Sequence, residues 1–228
     1  MSFQNSPCAV DKKLANFSKY VRRQNIARFL VQVELFKLQL PVKGSIVECG
    51  VHHGGGVMTW SKLLTTHEPY NYHRKIIGFD TFEGFPHVAE IDVKNHPDVK
   101  EGMFAEEYNI FDELNSCIAE YDENRFLNHI QKIELVKGDA NLTIPEYVEK
   151  NPHLLVSMLY LDFDVYEPSV KALRTLLPRM PKGAVLAFDE VNNPDWPGET
   201  MAMLEELNIR DCQLRSFEFE PNISYLVL

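Results

Sequence analysis

Met158-Leu-Tyr-Leu-Asp-Phe-Asp-Val-Tyr-Glu-Pro168 turns abruptly from apolar to acidic. Met158 to Leu161 has the pattern of a strand buried on both faces, as in a parallel sheet. The run stops at Asp162, and Asp164 follows two residues later. Carboxylates where a buried strand ends are unfavourable unless a cation meets them. In an open α/β sheet that position is the crevice at the carboxyl ends of the strands, where ligands bind. A second run, Ala184 to Phe188, ends the same way in Asp189-Glu190. If these strands are neighbours, four acids arrive at one place.

Upstream, Ser45 to Cys49 reads as a first strand, the glycines of Gly50-Val-His-His-Gly-Gly-Gly56 as a tight turn, and Val57 to Thr65 as a helix. Glycine after a first strand lets backbone approach a ligand closely. The spacing Glu48-x-Gly50-x-x-x-Gly54 departs from the G-x-G-x-x-G of dinucleotide binding, which disfavours an NAD-dependent oxidoreductase. An acid at Glu48 would repel a phosphate and suit the ammonium of an amino-acid moiety. A glycine turn with no ligand is the plainer alternative. Ile76 to Phe79 is a second strand ending in Asp80-Thr81, where an acid commonly holds a ribose diol. Lys132 to Val136 is a third, leading to Gly138-Asp139, and Asp139 could reach an adenine amino group.

The ends of the chain complete the pattern. Residues 11–40 read as helical, with Ile26, Phe29, Leu30 and Val33 on the buried face. Residues 87–103 show no periodicity and exceed an ordinary connection, so they are read as a lid over the site or a surface excursion. A helix is expected over 104–121. Gln213 to Phe219 and Ile223 to Leu228 read as two strands joined through Glu220-Pro-Asn222 in a closing antiparallel hairpin.

At 228 residues the chain suits a single α/β domain spanning 1–228. The 33 acidic residues outweigh 23 basic ones, a net charge of −10 with no dense basic stripe, which argues against nucleic-acid binding. No run approaches a membrane span, and the start Met1 to Ser6 is too polar for a signal peptide, so a cytoplasmic location is expected. Cys8, Cys49, Cys117 and Cys212 are scattered, without a Cys-x-x-Cys pair, and read as reduced packing residues.

Taken together, Ile46 to Val51, Gly78 to Pro86, Leu159 to Pro168, Phe188 to Glu190 and Trp196 to Glu199 resemble the macrocin O-methyltransferase family of class I S-adenosylmethionine-dependent methyltransferases. The resemblance spans roughly residues 40–205. It implies a Rossmann-like α/β fold, a seven-stranded, mostly parallel sheet with an antiparallel C-terminal hairpin and helices on both faces. It implies S-adenosylmethionine held by Glu48, Gly50, Gly54, Asp80, Thr81, Asp139 and Asp162. It also implies magnesium, or another divalent cation, on Asp162, Asp189 and Glu190, with Asp164 as general base. Glu190 departs from the Asp frequent in the family. The implied acceptor is a sugar hydroxyl of a glycoside, nucleotide sugar or surface glycan, and relatives often form homo-oligomers.

Other readings are a sugar amine or catechol-like diol as acceptor, or a non-catalytic binding module on the same fold. An alternative reading has Asp162 and Asp164 cap the following helix or pair with Arg174 or Arg179. His52 and His53 suit a solvated or substrate-facing role better than joint metal ligation. His87 and His96 are alternative bases, and Trp196 packs on the last helix or walls an acceptor pocket.

Overall fold

Each acidic strand end predicted from the sequence closes a strand of one sheet. The computed structural model describes residues 3–228, apart from the side chain of Asn95. Met1 and Ser2, the first residues of the polar start, lie outside the described residues. The strands are β1 Ser45–Cys49, β2 Ile76–Asp80, β3 Ile133–Lys137, β4 Val156–Leu161, β5 Val185–Phe188, β6 Arg215–Phe217 and β7 Glu220–Val227. Their order is β3-β2-β1-β4-β5-β7-β6. The first five run parallel, and β7 pairs antiparallel with both β5 and β6. Between β1 and β4 the order switches direction, the crevice expected to take a ligand.

Alternate residues of the buried strands feed two cores. On one face Val47, Phe79, Leu159, Leu161, Leu186 and Phe188 pack on α6 Ala140–Lys150, α7 Tyr166–Leu176 and α8 Gly198–Glu206. On the other, Ile46, Ile76, Met158, Tyr160 and Val185 pack on α2 Arg23–Gln39, α3 Gly55–His67 and α5 Ile110–Glu123. The period-two alternation of a sheet covered on both sides places these residues.

The leading segment differs from its expectation. It is a short helix, α1 Val10–Ala15, a single turn at Phe17–Lys19, and then α2. The buried face of α2 is Ala27, Val31, Leu35 and Phe36, whereas Phe29 and Leu30 are exposed. Polar residues are interspersed along α2 and its apolar ones recur on more than one side, so its pattern fixed no phase. At its far end the buried Arg74 donates to the carbonyls of Leu40 and Val42 at 3.2 and 2.8 Å, anchoring the helix on the sheet.

Three further stretches depart from expectation. The helix expected from 104 begins at Ile110, with the cap Asn109 accepting the Asp112 N–H. The expected hairpin turn, Glu220 to Asn222, lies inside β7, and the turn falls at residues 218–219. The β6–β7 register shifts between Ser216 and Phe217, so Pro221, which lacks an N–H, falls where the ladder is irregular. Of the four unpaired cysteines only Cys49 is buried and Cys117 is exposed, so packing does not account for all of them.

Candidate active site

A cavity of about 490 Å³ opens at the carboxyl ends of β1, β2, β3, β4 and β5. It runs from the glycine turn after β1 to the acids after β4 and β5.

The glycine turn is held by Asp80 rather than by its glycines alone. Asp80 Oδ2 accepts the N–H groups of Val51 and His52 at 2.7 and 2.8 Å, and Oδ1 accepts that of Phe82 at 2.6 Å. Gly50 has φ +89, and a Cβ there would lie 1.9 Å from the Asp162 carbonyl oxygen, so β1 and β4 approach as only glycine permits. Gly54 is the left-handed N-cap of α3 and lies outside the cavity lining. Thr81 donates its hydroxyl to the Gly84 carbonyl at 2.6 Å and faces the cavity. Asp139 also lines it while capping α6 through the Asn141 N–H at 2.9 Å.

Glu48 is buried in the wall of the cavity and accepts the Trp60 indole N–H on Oε2 at 2.7 Å. Burial pushes its pKa up to about 8, against the pull of that hydrogen bond and of Arg28. The ligand-free chain therefore keeps Glu48 largely neutral at pH 7. An ammonium ion beside it would restore the carboxylate.

Asp162 and Asp189 do converge, and what they converge on is a residue the sequence reading missed. Arg28 of α2 places Nη2 2.5 Å from Asp162 Oδ2 and Nη1 3.0 Å from Asp189 Oδ2. Tyr160, fully buried, donates its hydroxyl to Asp189 Oδ1 at 2.9 Å. Burial and the neighbouring Asp189 raise the pKa of Asp162 well above the carboxylate range, with Arg28 opposing. Asp164 lies on the same cavity wall with φ +62, a strained conformation for a residue with a side chain. Burial, then Asp189 and Glu190, lift its pKa to about 7. Glu190 lies outside the lining, and its Oε2 accepts the Asn193 amide at 2.5 Å.

Glu199 is the second missed residue. It is fully buried at the start of α8. Oε1 accepts the Phe163 and Asp164 N–H groups at 3.1 and 3.4 Å, and Oε2 accepts that of Glu190 at 3.2 Å. One side chain thus fixes both acid-bearing strand ends. Capping does not explain Asp162 and Asp164, because the N-cap of α7 is Val165, with no side-chain cap. Arg174 pairs instead with Glu205 and Glu206, and Arg179 with the Pro152 carbonyl.

The far wall is aromatic. Phe104 and Phe85 line the cavity, and Trp196 packs against both while stacking on His96 at 4.9 Å. Residues 87–103 are not irregular throughout. They contain α4 Glu90–Asn95, pinned by buried Asp92, which accepts the Tyr166 N–H at 3.1 Å. His87 faces the cavity near Glu101 and Glu167. At the mouth, His53 contacts Tyr108 and Glu106. Among the described residues, His52, His53 and Glu106 form a group with ligand atoms within 4.8 Å of one another, while Asp162, Asp189 and Glu190 do not.

Comparison with known proteins agrees with this architecture. A family model described as Macrocin-O-methyltransferase (TylF) matches residues 21–207. A solved structure of CalS11, a calicheamicin methyltransferase, superposes with TM-score 0.91 at 34% identity over 98% of this chain and 87% of that one. The apo structure of CalS11, a TDP-rhamnose 3'-O-methyltransferase, gives TM-score 0.84 at 31% identity over 98% of this chain and 88% of that one. A tetracenomycin-C rhamnosyl 4'-O-methyltransferase from Streptomyces olivaceus is 27% identical over 151 residues, 65% of this chain. That alignment spans only 53% of the curated relative, about half its length.

Proposed function

The chain belongs to the macrocin O-methyltransferase family, and on that footing we propose that it transfers a methyl group from S-adenosylmethionine to a sugar hydroxyl in the cytoplasm. The acceptor we favour is a deoxyhexose carried on a nucleotide or an aglycone. The observation that carries this reading is a single cavity with a buried acid and glycine turn at one end and Asp162, Asp164 and Asp189 at the other.

The cofactor site fits in kind. Glu48 suits the methionine ammonium, Asp80 and Thr81 the ribose side, and Asp139 the adenine side, with Gly50, Gly54 and Asp162 shaping the turn between. Gly55 lines the cavity with nothing within 4 Å of where a Cβ would be, and at the next lining position, Gly56, a Cβ would lie 2.1 Å from Glu48 Oε1. S-adenosylmethionine supplies an already activated methyl group, so the protein contributes alignment and electrostatics.

The metal set fits by donor chemistry. Hard carboxylate oxygens suit magnesium, and Asp162 and Asp189 already grip one cation. Asp162 and Asp189 would hold the ion, with Glu190 completing the set on release from Asn193. Such an ion lowers the cost of forming an alkoxide from a bound hydroxyl. Asp164, with a pKa of about 7, is poised to accept the hydroxyl proton at neutral pH. Tyr160 and Glu199 keep Asp189 and Asp164 in place. Phe85 and Phe104 offer apolar faces to a sugar ring, and residues 87–103 form the cover. Exposed Val10, Leu14, Phe17, Phe29 and Leu30 support assembly into a homo-oligomer.

The test is calorimetry with S-adenosylhomocysteine, followed by turnover with a nucleotide-linked deoxyhexose and with its glycosides. Absence of S-adenosylhomocysteine binding would end the proposal. Transfer confined to a sugar amine or a catechol would replace the acceptor.

A further inference from the structure

Arg28 takes up the oxygens that a divalent cation would need. Its two terminal nitrogens reach Asp162 Oδ2 at 2.5 Å and Asp189 Oδ1 at 2.9 Å, and Nη1 also donates to Asp189 Oδ2 at 3.0 Å. A planar guanidinium matches paired carboxylates closely and stays charged at every working pH. In its absence these acids, half-buried Asp162 beside buried Asp189, would repel without compensation. The Arg28 side chain is nonetheless 42% exposed, so one flank is open to solvent. Its helix is anchored further along, by buried Val31, Leu35 and Phe36 and by Arg74 at the end. Arg28 can therefore leave by rotation of its own long side chain while α2 stays in place. Departure would leave Asp189 held by Tyr160, ready for another cation.

We propose that Arg28 and a divalent cation occupy the Asp162–Asp189 pair in alternation. Arg28 neutralises the pair in the metal-free chain and withdraws when the ion enters. The inference rests on the metal-dependent reading of the site. A binding-competent state that is only partly populated weakens apparent affinity by that fraction. Arg28 thus sets how much metal the site requires, and the occupied pair never stands as two bare charges.

The test is Mn²⁺ binding to the full-length chain, followed by electron paramagnetic resonance of the free ion, without acceptor. Arg28→Met, which keeps length but removes charge, is expected to bind Mn²⁺ about tenfold or more tightly than wild type. Arg28→Lys should fall between, and adding Asp189→Asn to Arg28→Met should remove the gain. Equal or weaker binding by folded Arg28→Met overturns the alternation and leaves the metal reading standing. If Arg28→Met does not fold, the comparison passes to Arg28→Lys, whose melting temperature Mn²⁺ should raise more than that of wild type. The reverse order overturns the proposal. Failure of every form to bind Mn²⁺ while S-adenosylhomocysteine still binds removes both the metal and the alternation, but not methyl transfer.

Discussion

The Tyr160 hydroxyl donates to Oδ1 of Asp189 across 2.9 Å, between two neighbouring strands and out of reach of solvent. Burial, then Asp189, raises the tyrosine pKa well above its ordinary value, so it is a permanent donor. Tyr160→Phe leaves a buried carboxylate oxygen without that partner, which costs about 1–3 kcal/mol. Urea unfolding should show the loss. A midpoint equal to wild type would mean that Asp189 relies on Arg28 alone.

Glu199 accepts three main-chain N–H groups from the two acid-bearing turns. Glu199→Ala strips all three, and each half-buried donor left unpaired costs up to about 1 kcal/mol. Glu199→Gln keeps acceptor capacity on one oxygen and should lose less. The comparison needs kcat for both variants beside S-adenosylhomocysteine affinity. Turnover should fall much further than donor affinity, and parallel losses in the two would contradict a positioning role.

As the proposed base, Asp164 must be ionised, and its pKa in the metal-free chain is raised to about 7, by burial first. The rate should therefore climb as pH rises through 7 and level off above it. Asp164→Asn should abolish turnover with donor affinity nearly intact. A pH–rate profile flat between pH 6 and 8, both about one unit from that pKa, would assign the proton to another group.

Glu48 has its folded pKa raised from 4.5 to about 8. The neutral acid is favoured in the fold, so its contribution is full below pH 4.5 and is lost as pH rises through 8. The difference amounts to roughly a few kcal/mol. Glu48→Gln should flatten the stability curve of the ligand-free chain between pH 4.5 and 8 and weaken S-adenosylhomocysteine binding. An unchanged slope across that window in the variant would place the titration elsewhere.

Phe104 holds φ +70 and presents its ring to the cavity against Phe85 and Trp196. Phe104→Ala removes an aromatic contact worth about 1 kcal/mol beyond its area. The acceptor KM should rise several-fold while donor affinity holds. A change confined to the donor would move the acceptor to another wall.

The sheet was legible because β1, β2, β4 and β5 are short apolar runs that stop at an acid or glycine, with turn residues between. The acids of the site were legible for the same reason, since a carboxylate at a strand end stands out against its run. Arg28 was not. Choosing Ile26, Phe29, Leu30 and Val33 as the inner face of α2 turned Arg28 outward, and its partners lie 134 and 161 residues downstream. The available signal was chemical, since acids at strand ends demand a cation and Arg28 is set among the apolar residues Ile26, Ala27, Phe29 and Leu30. Glu199 was quoted within a motif, yet nothing local shows a buried carboxylate turned towards main-chain donors. The short helix α4 was missed because six residues give too little periodicity to read.

The contact between Arg28 and Asp189 closes a loop of 161 residues, from the first long helix to the fifth strand. A chain still emerging from the ribosome carries the arginine long before it carries that aspartate. The half-made protein thus presents an unpaired cation and no assembled acid cluster, and closure waits for a late encounter between distant segments. Assembly of this acid cleft is withheld until the fifth strand and the turn after it have been made.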